Sequence, residues 1–122
     1  MNDQQYISKL LTGWEEIAKR GQLPLWVLLA LKEGPKHMAD IKTFIAKATG
    51  DLITVDDKSL YRALRRYHQT EMLTFTTAPG NGPDRKVYAL SPIGAEVLRQ
   101  FIDRNIIGTL YQPNIMQLMK EQ

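Results

Sequence analysis

The chain has 122 residues, a length that accommodates one domain with a single modest core. Apolar residues make up 43% and charged residues 24%, a composition that excludes a disordered or fibrous protein. The net charge of +3 fits a polyanionic partner without requiring one, and the absence of Cys excludes disulfides and thiolate zinc sites.

Nothing in the sequence predicts a membrane or secreted protein. The most apolar run, residues 23–31, is far shorter than the roughly 20 residues that a membrane span needs. The first residues lack the basic region of a secretory signal. We therefore expect a cytoplasmic protein with no membrane contact.

Two helices are predicted before Gly34. Apolar residues recur at helical spacing from Tyr6 to Ala18, and Gly21 is expected to end this first helix. A second helix is predicted from Pro24 to the break at Gly34. Because it is apolar on nearly every side, we expect it to be the central core helix.

A helix-turn-helix is predicted next. A third helix over residues 38–48 ends at Gly50, and a short connection leads to Asp56, a good N-cap for a fourth helix that continues to Thr70. The residues of the fourth helix that face inward are Leu60, Ala63, Leu64 and Tyr67.

The hydrophobic period then changes from about 3.6 to about 2, which predicts strands at 73–77 and 86–90. The turn-forming residues at 78–84 predict a hairpin with a long tip. Ser91 and Pro92 begin a final helix, which Pro113 interrupts.

The predicted fold class is mainly α with a small β-hairpin: a winged helix-turn-helix with extra terminal helices. We expect one domain, with an N-terminal helix at 1–21, a core at 22–91 and a C-terminal dimerisation helix at 92–122.

The fourth helix carries a basic face. At about 100° per residue, its cations share a sector opposite the apolar residues, as insertion into a DNA major groove requires. The hairpin adds Arg85 and Lys86, which we expect to contact phosphates or the minor groove. The alternative is that these cations are simply solvated. The predicted DNA-binding residues are Lys58, Ser59, Tyr61, Arg62, Arg65, Arg66, Arg85 and Lys86.

The segment 59–66, followed by Leu73, the strand 85–91 and Gly94, resembles the recognition helix, wing and following helix of the PadR family of transcriptional regulators. The segment 29–35, with its neighbours His37 and Ile41, also resembles that family, and the resemblance covers roughly residues 23–101. This sequence departs from the family pattern in two places. Met38-Ala39 replaces the usual Gly-Tyr, and Glu71 replaces a Gly. Glu71 predicts a different end to the recognition helix, because Glu tolerates a left-handed backbone poorly.

The resemblance implies a dimeric repressor that binds a palindromic operator, pairs through its terminal helices and is released by a small aromatic or hydrophobic effector. The apolar stripes of the terminal helices independently favour a homodimer, since so short a chain cannot easily cover them. The alternative is that the terminal helices pack on each other within one chain. The candidate dimerisation residues are Tyr6, Leu10, Trp14, Ile17, Leu98, Ile102, Ile106 and Leu110.

Trp14 and Trp26 are the candidate effector-binding residues, because broad aromatic surfaces suit flat apolar ligands. The alternative for both is core packing. No nucleophile with a base, carboxylate pair or metal-ligand cluster has convincing spacing, so we expect no enzymatic activity, cofactor or metal. The competing function is a winged helix that contacts only proteins, against which the basic face argues.

Overall fold

The computed structural model describes residues 2–80, 82 and 85–121, and within these ranges the chain forms helices and one β-hairpin. Three residues of the predicted hairpin tip, Asn81, Pro83 and Asp84, lie outside the described residues. The predicted class, a mainly α fold with a small hairpin, is confirmed. The elements in chain order are α1 (Asp3–Glu33), α2 (Met38–Ala48), α3 (Asp57–Gln69), β1 (Leu73–Ala78), β2 (Arg85–Leu90), α4 (Pro92–Ile102), a π-helical turn (Asp103–Ile107) and α5 (Pro113–Lys120).

The first two predicted helices form one helix. α1 runs without a break through Gly21 and Pro24, so the prediction that Gly21 ends a helix was wrong. Gly21 does not adopt a positive φ, so the backbone stays helical there. The helix α1 ends at Gly34 instead. Pro24 removes one backbone donor, and Trp26 Nε1 donates to Gln22 Oε1 at 3.1 Å across the same stretch of helix.

The hydrophobic core lies between the second half of α1, the α2–α3 pair and the hairpin. The expectation that residues after Pro24 form the central core helix is confirmed, since four of them are buried. The buried apolar residues are Val27, Leu28, Ala30, Leu31, Ile41, Ile45, Ile53, Leu60, Leu64, Leu73, Tyr88 and Leu98.

The wing is a two-stranded antiparallel sheet with an added short bridge. β1 and β2 pair in register from Leu73 opposite Leu90 to Ala78 opposite Arg85. On its other edge β2 pairs with Lys36, whose N–H donates to the Tyr88 carbonyl at 2.9 Å and whose carbonyl accepts from the Tyr88 N–H at 2.8 Å. The segment between α1 and α2 is thereby tied to the wing.

The helices α2 and α3 end in the same backbone motif. At the end of α3 the N–H of Glu71 donates to the His68 carbonyl at 3.1 Å, and that of Met72 donates to the Tyr67 carbonyl at 2.9 Å. This is the Schellman pattern, and Glu71 holds its left-handed position at φ 66°, as Gly50 does after α2 at φ 58°. The prediction that Glu71 changes the end of the recognition helix was therefore wrong, because both backbone bonds form despite the side chain.

Candidate nucleic-acid interface

The helix α3 begins at a well-formed N-cap. Asp56 accepts from the Ser59 N–H at 2.8 Å and from the Ser59 hydroxyl at 2.9 Å. These bonds hold the pKa of the Asp56 carboxyl below its ordinary value of 3.8. Leu60 and Leu64 are fully buried, which fixes the rotation of the helix against the core. The opposite face of α3 is thereby turned to solvent.

The predicted cations lie on that solvent-facing side. Lys58, Arg62, Arg65 and Arg66 are all exposed. Five ion pairs join the described residues, and none of these four cations takes part in them. The face is therefore an array of positive charges without counter-charges from the described part of the chain, which is the electrostatic arrangement that attracts phosphates.

Two other predicted residues of α3 are placed differently from one another. Tyr61 is 45% exposed and belongs to the open face. Ser59 is half-buried, and its only hydroxyl proton is donated to Asp56. Ser59 therefore acts in the cap of α3 and is left with acceptor capacity alone.

Arg85 and Lys86 are both exposed, but successive residues of a strand point to opposite faces. Lys86 lies on the face that carries Phe75, with its Nζ 4.6 Å from the centroid of the Phe75 ring. The same ring packs against His68 of α3 at 4.7 Å between centroids. Sequence analysis missed this cluster of His68, Phe75 and Lys86, which joins the wing to α3. The alternation of apolar and polar residues along β1 was the signal that could have pointed to Phe75.

A second feature that sequence analysis missed is a cleft of about 270 Å³ between α1 and α3. Arg20 of α1 enters this cleft beside Arg62 and Arg66 of α3. No local pattern pointed to Arg20, because it lies about 40 residues before the arginines that it joins. The full lining is Arg20, Leu23, Pro24, Ser59, Arg62, Ala63, Arg66 and Tyr67.

The comparison with known proteins identifies the family. Residues 27–100, more than half of the chain, match the family model described as the transcriptional regulator PadR-like family. The chain belongs to the PadR-like family of transcriptional regulators.

Solved structures share the fold of this PadR-like chain. A PadR family regulator from Eggerthella lenta superposes with a TM-score of 0.75 at 20% identity, covering 97% of this chain and 99% of that one. A PadR-like transcription factor from Bacteroides fragilis gives 0.64 at 24% identity, with coverages of 76% and 87%. Bacillus subtilis PadR, solved in complex with operator DNA, gives 0.59 at 22% identity, with coverages of 66% and 45%. No curated protein matches the chain.

The terminal helices of this PadR-like regulator carry most of the predicted dimerisation residues on open surface. Tyr6, Leu10, Trp14 and Ile17 are 54–74% exposed, and Leu110 is 48% exposed. The N-terminal half of α1 is exposed along nearly all of its length, so the terminal helices do not cover each other within the chain. Ile102 and Ile106 are half-buried.

Leu98 is the exception among the predicted dimerisation residues. It is 2% exposed because α4 packs against the core of its own chain and buries this side chain there. The exposed apolar side chains of α4 are Ile93, Val97 and Phe101 instead. The sequence pattern correctly predicted an apolar stripe on α4, but it did not distinguish the residues that face the core from those that face solvent.

The two Trp residues do not share a site within one chain. They are 12 residues apart on α1, which corresponds to about 18 Å along a helix axis. Trp14 is 74% exposed, while Trp26 is half-buried beside the core. Neither side chain lines any of five clefts on the described surface.

Among residues 2–80, 82 and 85–121, no group of three His, Asp or Glu side chains is placed to hold a metal ion. His37 and Asp40, whose Nε2 and Oδ2 atoms are 3.1 Å apart, lie at the start of α2. Over the same ranges, no helix combines the length and the apolar character that crossing a bilayer requires.

Proposed function

We propose that this PadR-like regulator is a homodimeric repressor that recognises a pseudo-palindromic operator in double-stranded DNA. The observation that carries the proposal is the exposure of Arg62, Arg65 and Arg66 opposite the buried Leu60 and Leu64. On this face a guanidinium fork can match guanine O6 and N7 in the major groove, as we expect of Arg65, or pair with a phosphate. Bacillus subtilis PadR, which shares this fold and was solved with operator DNA, supports the proposal that this chain binds DNA.

Base contacts and phosphate contacts are expected to divide between α3 and the wing. Arg65→Ala should cost about 1 to 3 kcal/mol at particular base pairs if Arg65 makes a bidentate base contact. Arg85→Ala should instead weaken binding to all duplexes alike and lower the slope of log K against log salt by about one. Lys120→Ala, which removes one exposed charge from α5, is the matched control and should change neither quantity.

Fluorescence anisotropy with labelled operator and unrelated duplexes, at several salt concentrations, measures all three variants. If Arg65→Ala and Arg85→Ala leave binding at low salt unchanged, the DNA-binding proposal is wrong. The alternative of a winged helix that contacts only proteins would then be preferred.

The proposed dimer pairs through the apolar stripe of α1, which consists of Tyr6, Leu10, Trp14 and Ile17. Trp14 and Ile17 are 74% and 68% exposed, and burying such a stripe against a symmetric copy removes it from water. Two recognition helices about 34 Å apart would then face successive turns of B-DNA, which requires an inverted-repeat operator. Selection of bound duplexes from a random pool should enrich an inverted repeat, and enrichment of a single unrepeated site would contradict the dimer.

A substitution tests the dimer without DNA. Trp14→Asp places a charge in the stripe and should yield monomers in analytical ultracentrifugation, whereas Gln4→Asp, also exposed on α1, should not. Equal dimer content in both variants would exclude the stripe as the interface.

Release of DNA by a small aromatic or hydrophobic molecule is the last part of the proposal. Trp14 is the candidate contact, since it lies in the stripe of α1 that forms the proposed dimer interface, where a flat apolar ligand could pack against its indole. Trp26 is half-buried, and its indole N–H is engaged by Gln22. Quenching of indole fluorescence by such a ligand should therefore disappear in Trp14→Phe and persist in Trp26→Phe.

A further inference from the structure

The cleft between α1 and α3 brings three arginines from two distant segments of the chain to one place. Arg20 comes from α1, one helical turn before Pro24, and Arg62 and Arg66 come from successive turns of α3. The rest of the lining is apolar or hydroxyl-bearing, and no acidic residue is part of it. The cleft is therefore a concave site with three positive charges.

None of these charges is neutralised by a described neighbour. The ion pairs of the described residues do not include Arg20, Arg62 or Arg66. The adjoining cleft, which Arg20 also lines, contains the carboxylate of Asp56. That carboxylate accepts hydrogen bonds from Ser59 on both oxygens, and it is in none of the ion pairs of the described residues. Like charges gathered without a counter-ion repel one another, so binding an anion lowers the electrostatic energy of the cleft.

The lining also supplies a neutral donor. Burial raises the pKa of Tyr67, so its phenol stays protonated at neutral pH and can donate a hydrogen bond. Guanidinium forks donate two parallel hydrogen bonds to phosphate oxygens, and a phosphate group presents enough acceptor oxygens for several forks. A hydroxyl donor beside several forks is an arrangement suited to a phosphate group.

The cleft occupies only one flank of α3. Arg66 lines it, whereas Arg65, about 100° further round the helix, does not. The two neighbouring arginines therefore lie on different sides of α3: Arg66 faces the cleft that Arg20 also lines, and Arg65 lies outside it.

We propose that the cleft formed by Arg20, Arg62 and Arg66 is a phosphate-binding site, and that Arg20 extends the DNA footprint of the regulator onto α1. The proposal that the phosphate belongs to DNA rests on the proposed function. A free phosphate group, inorganic or on a small molecule, has the same chemistry and would occupy the same site in competition with DNA. Two measurements separate these sources.

The first measurement is duplex binding by Arg20→Ala. One phosphate contact contributes about 0.9 to the salt slope, so the affinity ratio of wild type to variant should shrink about 3.5-fold between 50 and 200 mM salt. The loss should be equal for operator and unrelated duplexes. Lys19→Ala is the matched control, because Lys19 lines the adjoining cleft but not this one, and it should retain the wild-type slope.

The second measurement is titration of the free protein with inorganic phosphate, followed by amide chemical shifts. Shifts that centre on residues 20–24 and 59–67 and vanish in Arg20→Ala support the site for free phosphate. Arg20→Ala and Lys19→Ala each place Ala on an exposed or half-exposed helical position. Thermal unfolding of both variants checks that the fold is intact.

The outcomes are distinct. If Arg20→Ala weakens duplex binding, the cleft holds a backbone phosphate, whether or not the phosphate titration also changes; if it changes only the titration, the cleft holds a free phosphate group. If it changes neither while Arg65→Ala weakens duplex binding, the cleft proposal is wrong and the proposed function stands. If even Arg65→Ala leaves duplex binding unchanged, DNA binding is wrong, and the titration alone decides whether the cleft binds phosphate.

Discussion

The hydroxyl group of Ser91 donates a 2.6 Å hydrogen bond to the carbonyl oxygen of Glu71, at the end of α3. The same hydroxyl accepts from the Gly94 N–H at 3.0 Å, and the Ser91 N–H donates to the Met72 carbonyl at 3.0 Å. The first turn of α4 is thus anchored directly to the residues that end the recognition helix. The direction of α4, and of any dimer built on it, is set relative to α3 by these bonds.

Gly94 is required for this anchoring. A Cβ at Gly94 would lie 2.9 Å from the carbonyl carbon of Met72 and closer still to its oxygen, and backbone atoms cannot rotate away as a side chain can. Gly94→Ala should therefore destabilise the fold by about 3 kcal/mol, as overpacking of this kind does. Chemical denaturation measures the change, with Gly13→Ala as the control because Gly13 has open space around it. A wild-type unfolding midpoint for Gly94→Ala would contradict the close approach.

Glu71 carries backbone strain that a Gly would relieve. Its φ of 66° is costly for a residue with a Cβ, while the Schellman bonds need only the backbone. Glu71→Gly should therefore stabilise the protein by about 1 kcal/mol. Gly50 occupies the same position after α2 at φ 58°, so Gly50→Ala should destabilise by a similar amount. In thermal unfolding we expect Glu71→Gly to raise the unfolding temperature and Gly50→Ala to lower it. A lower unfolding temperature in Glu71→Gly would show that the Glu side chain contributes to the stability of the fold.

The continuity of α1 is tested at Gly21. This residue is helical and exposed, and a Cβ there meets no atom within 4 Å. Gly21→Ala should consequently stabilise the protein by about 0.5 to 1 kcal/mol, the difference in helix propensity. If α1 were instead broken at this point by a left-handed Gly, the same substitution would lower the unfolding temperature.

The cap of α3 predicts a specific dependence of stability on pH. The hydrogen bonds from Ser59 lower the pKa of Asp56 below 3.8 in the folded chain. Because the folded pKa is below the unfolded one, the stabilisation is complete above the unfolded value and is lost as the pH falls through the folded value. Arg99 donates hydrogen bonds to Glu96 and lowers the pKa of that carboxyl to about 2, which adds a contribution of the same sign.

Asp56→Asn isolates the contribution of the cap. Asn caps helices about as well as Asp but does not titrate, so the variant should lose less stability than wild type between about pH 5 and pH 2.5. Denaturant midpoints across this range measure the difference. Identical pH profiles for wild type and Asp56→Asn would exclude the carboxylate cap as a source of acid sensitivity.

Much of the candidate site followed from local sequence signals. Asp56 as a cap, Leu60 and Leu64 as the buried face and the cations opposite them all depend on helical period and on contacts within one turn. Arg20 was beyond such reasoning, because only the packing of α1 on α3 brings it to Arg66. Lys86 was predicted to contact phosphates or the minor groove; its position over the Phe75 ring follows from the register of the hairpin, which the sequence alone did not give.

The sequence by itself determined the order of elements from α2 to α4, the bounds of α3 and the position of the wing, since each depends on neighbours a few residues away. Tertiary structure alone decided three other features: the helix continues through Gly21, Leu98 faces its own core, and Glu71 adopts a left-handed backbone. At Gly21 and Glu71 the local preference against the observed backbone is worth only about 1 kcal/mol, and at Leu98 only the packing of α4 decides which side of its apolar stripe faces the core.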